Sequence, residues 1–272
     1  MPLFIYPGIP TEVVEKQLSV EGLRAVVVQS FGSGNIPTRP DLVEAFRKAR
    51  AERNIILATV SQCRRGPVEL GIYETSAELL EAGFVAASDL TVEAAQCKLM
   101  TLLGDPDIEI GEVEAAYQAS VAGEQTVSQF ITKLSDQAGQ VEGSDSASEK
   151  ARFRLPAKPL AGVWNPQRID RALLRLRRGQ VSFSESSAVE LRVYINVDPE
   201  ETLTEDHPNL VGRFRKWPME QAGLVVFDAT RAIRAVAKPG ERISFTFLVA
   251  TPGATLSWGA TDLALFIREV GS

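Results

Sequence analysis

Gln29-Ser30-Phe31-Gly32-Ser33-Gly34-Asn35-Ile36-Pro37 lies between an apolar run, Leu23 to Val28, and a segment of helical spacing that starts near Pro40. The run is short, continuous and rich in β-branched residues, which suits a buried strand. A glycine-rich turn between a buried strand and a helix is the usual ligand edge of an open α/β sheet. Gly32 and Gly34 permit backbone angles and close approaches that a side chain blocks. The Asn35 amide donates and accepts at once. The turn has neither the glycine spacing of a dinucleotide site nor the lysine of a phosphate-binding loop.

Outward from this turn the same alternation repeats. Phe4-Ile5-Tyr6 reads as a short strand, followed by a helix from Thr11, its expected N-cap, to about Leu18. Asp41 to Arg53 has helical spacing in Leu42, Val43, Ala45, Phe46 and Ala49. Ile55 to Val60 is a second buried strand, ending at Ser61-Gln62-Cys63. A helix over about 75–82, a strand at Phe84 to Ala87, and a helix capped by Thr91 and reaching Leu103 follow. Two more helices are expected, Ile110–Ala122 and Glu124–Leu134. Continuous apolar strands alternating with amphipathic helices predict an α/β, three-layer domain with a parallel sheet over residues 1–136.

Beyond it the composition changes. Gly139, Gly143, Ser144, Ser146 and Ser148 with scattered charges predict a flexible linker over 137–158. After Trp164 come short, mostly alternating runs such as Val189 to Ile195, Leu224 to Phe227, Ile243 to Val249 and Leu263 to Ile267. Such runs predict an antiparallel β-sandwich over 159–272.

Composition narrows the function classes. Hydrophobic residues make up 44% and charged residues 24% of the 272, the balance of an ordinary globular protein. The net charge of −6 is uneven. Residues 1–136 hold 11 Lys and Arg against 19 Asp and Glu, a net of −8, which argues against nucleic acid as a partner. The single histidine, His207, rules out a three-histidine metal site within this sequence, and no cofactor is expected. Two cysteines, Cys63 and Cys97, fit a reducing cytoplasm better than a disulfide framework. No apolar run approaches the ~20 residues that span a bilayer, and Met1-Pro2-Leu3-Phe4 does not read as a signal peptide, so no membrane is expected as a partner.

Several motifs stand in register: Ile5-Tyr6-Pro7-Gly8-Ile9, the Gly32–Asn35 turn, Ser61-Gln62-Cys63, Gly66-Pro67-Val68, Gly71-Ile72-Tyr73 and Asp89-Leu90-Thr91-Val92-Glu93-Ala94. In that order, from about Leu3 to Thr126, they resemble the C-terminal domain of type I, cytoplasmic bacterial L-asparaginases. The resemblance implies hydrolysis of asparagine by threonine nucleophiles that the family carries in an N-terminal domain, in Thr-Gly-Gly-Thr and His-Gly-Thr-Asp motifs. Neither motif occurs in this sequence, so no catalytic residue is assigned. Asn35 matches the family's asparagine that reaches substrate from a neighbouring subunit; the alternative is an amide that stabilises its own turn. Ser61 and Cys63 match positions that line an effector pocket in allosteric members. Gln29 stands where those members use an arginine, so it offers an amide without the charge or the guanidinium fork.

A second resemblance covers the C-terminal part. Leu191 to Asn196, His207-Pro208-Asn209, Val211 to Phe214 and Phe227 to Thr230 look like the C-terminal β-sandwich of tyrosinases and haemocyanins. It implies a covering role over a copper domain, not oxidation. The expected partners are therefore an asparaginase N-terminal-type chain, a type 3 copper protein, or further copies of this chain in a homo-oligomer.

Other residues have plainer readings. Cys97 is expected in a helix core. Asp89 and Glu93 form either a carboxylate pair at a ligand or, with Thr91, a helix start. Tyr73 lines a pocket or packs. Arg171, Arg175, Arg177 and Arg178 read as a solvated strand edge, or as a surface that docks on acidic residues. His207 reads as a surface loop residue, and Trp164, Trp217 and Trp258 as core or interdomain packing.

Overall fold

The structure, a computed structural model, describes residues 1–37, 39–64, 66–71, 74–143, 152–159, 165–183, 189–216, 223–236, 238 and 241–269. The chain divides into two compact units, one running from Met1 to Gln129 and taking in the end of the chain from Arg268, the other Phe130–Ile267.

The first unit contains β1 (Pro2–Phe4), α1 (Thr11–Leu18), β2 (Ala25–Ser30), α2 (Pro40–Arg53), β3 (Ile56–Ser61), α3 (Glu74–Glu81), β4 (Val85–Ala86), α4 (Val92–Gly104) and α5 (Ile110–Gln118). The four strands form one parallel sheet in the order β1-β2-β3-β4, with Leu3 opposite Val28, Val27 opposite Ala58, and Ala58 opposite Val85. Successive side chains of β2 enter different cores, as the period of a strand requires. Val26 and Val28 pack with Leu3, Val14, Leu42 and Phe46. Ala25 and Val27 pack with Leu99, Leu102, Val113 and Tyr117. Helices therefore cover both faces, and the continuous apolar strands follow from that.

Local readings need correction. Pro10, not Thr11, is the N-cap of α1. The Thr11 hydroxyl instead donates to the Asp41 carboxylate in the first turn of α2, and Arg39 bonds Asp41 at 2.5 Å and Thr11 at 2.6 Å. These hydrogen bonds, Arg39 foremost, hold the Asp41 carboxyl at about 2. Cys97 is exposed, because the buried stripe of α4 is Ala95, Lys98, Leu99 and Leu102. α5 ends at Gln118, and the helix expected at Glu124–Leu134 is a strand, β5 (Val127–Ser135). Val127, Phe130, Ile131 and Leu134 have helical spacing, but the buried residues are Ser128, Gln129, Thr132 and Leu134, and sheet pairing decides.

The second unit continues with β6 (Gly139–Glu142), β7 (Arg152–Arg154), β8 (Lys158–Pro159), β9 (Ile169–Phe183), β10 (Val189–Ile195), β11 (Leu210–Lys216), β12 (Gly223–Asp228), α6 (Thr230–Val236), β13 (Arg242–Ile243), β14 (Phe245–Val249), β15 (Ala254–Trp258) and β16 (Thr261–Arg268). They form antiparallel sheets: β11-β10-β14-β7, then β5-β16-β9-β15-β6 with β12 also on β9, and the pair β13-β8. One hydrophobic core draws on the two larger sheets, through Leu191, Val193 and Phe247 from one and Leu174, Leu256 and Leu263 from the other. Trp258 packs in it, 5.0 Å from the Phe153 ring and 5.1 Å from the Phe247 ring. Trp164 and Trp217 lie outside the described residues.

Within the 137–158 segment, β6 pairs with β15 and β7 with β14. Gly139 supplies the reason its composition misleads: it is a packing site, where a Cβ would come within 2.3 Å of the Trp258 ring. The arginine cluster is likewise no solvated edge at Arg175. This residue is fully buried in the central strand β9, with its Nε 2.5 Å from Asp262 on β16. Arg177 donates to the same carboxylate at 2.8 Å. His207 is not a free surface group either. Its side chain is largely buried, its Nδ1 accepts the Asn209 N–H at 3.1 Å, and its Nε2 faces Glu201 at 2.8 Å. Among the described residues no helix is long and apolar enough to cross a membrane, and no cluster of His, Cys, Asp and Glu is arranged to hold a metal.

Candidate functional site

The parallel sheet ends at one edge, where the loops after β2, β3 and β4 meet. The turn after β2 closes on itself: the Phe31 N–H donates to the Asn35 carbonyl at 2.7 Å, and the Gly34 and Asn35 N–H groups donate back to the Phe31 carbonyl at 3.0 and 2.9 Å. Gly34 sits at φ 115°, and a Cβ there would meet Val68 Cγ1 at 2.8 Å and Leu70 Cδ2 at 3.1 Å. Glycine is required on both counts. Asn35 is half-buried beside it.

Polar side chains at the strand ends lock this turn to its neighbours. The Ser61 hydroxyl donates to the Gly32 carbonyl at 2.6 Å and accepts the Cys63 N–H at 3.0 Å. The Gln62 amide donates to the Ile5 carbonyl at 2.5 Å and to the Gln29 carbonyl at 2.7 Å, joining the ends of β1 and β2. Deeper in, Thr59 donates to the Ser30 hydroxyl at 2.8 Å, and Ser30 donates to the Val60 carbonyl at 3.0 Å. Each of these satisfies a polar group at a place where the ladder stops.

A cavity of about 600 Å³ opens beside the turn, lined by the loop after β3 (Ser61, Gln62, Cys63, Arg64 and Gly66) and by Asp89 through Glu93 at the start of α4. Thr91 caps α4, its hydroxyl accepting the Ala94 N–H at 3.2 Å. The loop before it is fixed at Ser88, whose φ of 42° is unusual for a residue with a side chain and whose carbonyl accepts the Val68 N–H at 2.7 Å. Asp89, on this wall, is already engaged: its two oxygens accept the Thr126 N–H at 3.0 Å and the Thr126 hydroxyl at 2.6 Å.

Residues 2–117 match the family model described as Glutaminase/Asparaginase C-terminal domain. This part of the chain is an asparaginase C-terminal domain. It is homologous to L-asparaginase 1 of Escherichia coli (strain K12), 33% identical over 122 residues, which are 45% of this chain and 35% of that protein. The 60 kDa lysophospholipase of Mus musculus is 36% identical over 134 residues, 49% of this chain and 23% of that protein. Among solved structures, L-asparaginase I from Vibrio cholerae matches with 36% identity and a TM-score of 0.43, over 46% of this chain and 37% of that one. The chain thus spans about a quarter to a third of the length of these two curated relatives.

Within the asparaginase C-terminal domain, the structure brings Ser61 and Cys63 into one cavity wall and leaves Gln29 and Asn35 off it. Gln29 takes part through its backbone carbonyl, as an acceptor for Gln62. Cys63 is exposed. Tyr73 lies outside the described residues. Sequence reading missed Gln62, which clamps two strand ends. Its sole signal was position: an amide directly after a buried strand, where a carbonyl needs a donor.

Proposed function

We propose that this chain is the ligand-edge half of an asparaginase-type amidohydrolase, with the threonine nucleophiles supplied by a partner polypeptide. The observation that carries the reading is the Ser61–Gly32 hydrogen bond, which ties the Asn35 turn to the cavity wall of Ser61 and Cys63. Such an edge orients a small polar ligand without itself providing a nucleophile and base. The Thr91 hydroxyl is committed to a helix cap, and the sole histidine belongs to the other unit. In this reading Asn35 reaches substrate held by the partner, Ser61 and Cys63 line the cavity of an asparagine effector, and Gln29, off that wall, stands in place of the arginine and brings no charge to it. The second unit is then a β-sandwich of the tyrosinase C-terminal kind, in keeping with its shared core, that covers a partner surface. The assembly is cytoplasmic and homo-oligomeric.

The test is ammonia release from asparagine. The purified chain alone gives none above background. Adding a separately expressed asparaginase N-terminal domain restores turnover, and Asn35→Ala abolishes the restored activity. Turnover by the chain alone that disappears with Asn35→Ala overturns the reading. Asparagine binding with self-association but no restoration replaces it with a non-catalytic oligomerisation module. Association with a type 3 copper protein instead of the asparaginase domain assigns the partnership to the second unit.

A further inference from the structure

The cavity wall is hydrogen-bonded to the place where the chain leaves the first unit and re-enters it. Thr126, held by both oxygens of Asp89, immediately precedes β5, the strand that crosses the boundary after Gln129. The chain returns at Arg268, and the next residue, Glu269, donates its N–H to the Thr126 carbonyl at 2.9 Å. Ser128 donates to the Glu269 carboxylate, and its hydroxyl accepts the Ser120 N–H at 2.7 Å. The outgoing and returning segments are therefore fastened together at Thr126, and Thr126 is fastened to Asp89.

Asp89 is itself a poised group. It follows Ser88, whose left-handed backbone conformation costs energy and is kept by the surrounding bonds. Asp89 and Cys63 line the same cavity. A carboxylate has room for about four donors, but a strong new donor competes with those already present. We propose that Asp89 couples the cavity to the junction: a ligand carrying an ammonium or amide N–H donor draws Asp89 from Thr126, and the junction loosens. Asp89 acts here as a positioning residue. The inference uses the cavity and its hydrogen bonds, and it stands or falls separately from amide hydrolysis.

The probe is a thiol reagent placed at Cys63 in the full chain carrying Cys97→Ser, which leaves one cysteine. Aminoethyl methanethiosulfonate attaches an ammonium group, and propyl methanethiosulfonate attaches a neutral group of matching size. The readout is hydrogen exchange at the Thr126 and Glu269 amides, both donors in the junction. The ammonium adduct speeds exchange at both by about tenfold, the equivalent of one charge-assisted bond; the propyl adduct does not. Asp89→Ala speeds it to a similar degree without any reagent, and the ammonium adduct then adds nothing. Thr126→Val, which removes one hydroxyl and keeps the backbone bond, gives a smaller rise and serves if Asp89→Ala fails to fold. Equal exchange in the ammonium-labelled and unlabelled chains overturns the coupling. So does an equal rise with both reagents, which would report bulk and not competition for Asp89.

Discussion

The two units pair their polar side chains differently. In the first, Ser30, Ser61 and Gln62 sit at or next to strand ends, and Gly32, Gln29, Ile5 and Val60 offer carbonyls to them. In the second, Arg175 in the middle of β9 faces Asp262 near the start of β16, and Glu190 lies near the start of β10 against Arg192 at 2.6 Å. At a strand end the ladder stops and leaves backbone acceptors that a neutral hydroxyl or amide satisfies cheaply. Mid-sheet, the backbone is already paired, so a buried polar side chain needs a partner side chain of its own. A charge needs an opposite charge. The first arrangement shapes a surface where ligands approach; the second consolidates an interior.

The largest effect expected from breaking this contrast is Asp262→Ala. It leaves Arg175 buried without its carboxylate, a loss of about 3–5 kcal/mol. All three tryptophans lie beyond residue 159, so tryptophan fluorescence during urea unfolding reads the second unit. The double change Arg175→Met with Asp262→Leu, which removes both charges, returns most of that stability; failure to do so would mean the pair is held by more than mutual need. Next comes Gly34→Ala, which puts a Cβ against Val68 in a left-handed backbone and costs about 2–3 kcal/mol. Circular dichroism records it, while the tryptophan transition stays put if the units unfold independently. Gln62→Leu follows, leaving the Ile5 and Gln29 carbonyls without their side-chain donor for about 1–2 kcal/mol.

The smallest effect is confined to acid. Burial alone would raise the Glu124 carboxyl, but hydrogen bonds from Lys98 and the Ala122 and Val121 N–H groups outweigh it and hold the carboxyl at about 2. A folded-state value below the unfolded one gives stability that is present above the unfolded range. It is lost as pH falls from about 4.5 toward 2. Glu124→Gln removes that slope from the first unit's pH-dependent unfolding, and an unchanged slope would assign it to other carboxylates.

The first unit was legible because each of its signals is local. Apolar runs, the Gly32–Gly34 turn and the Thr91 cap are read within a few residues, and the parallel order of its strands follows the chain. The second unit was legible as strands but not as sheets. β10 is read to its ends, whereas β9 is read only as a solvated edge at Arg171–Arg178, since its arginines look solvated until Asp262, 87 residues on from Arg175, is placed opposite. β5 satisfies a helical spacing and a strand spacing equally, and only its partners choose. In the candidate site, motif reading names Ser61 and Cys63, which share one cavity wall. It misses the Gln62 clamp and the Asp89–Thr126 bond, since their partners are carbonyls and amides that no side-chain pattern marks.

The interior position of β16 in its sheet bears on how the protein is made. Strands β1 to β4 pair with their nearest predecessors, so the first sheet assembles as it leaves the ribosome. The sheet of the second unit has β16 between β5 and β9, and β16 ends at Arg268. Until residue 268 is synthesised, β5 and β9 wait without that neighbour, and Arg175 waits for Asp262. The nascent protein therefore passes through a stage in which the first sheet is followed by a second unit whose β5 has no strand partner and whose β9 lacks one neighbour. That is a state on which chaperones act and in which edge-to-edge aggregation competes with completion.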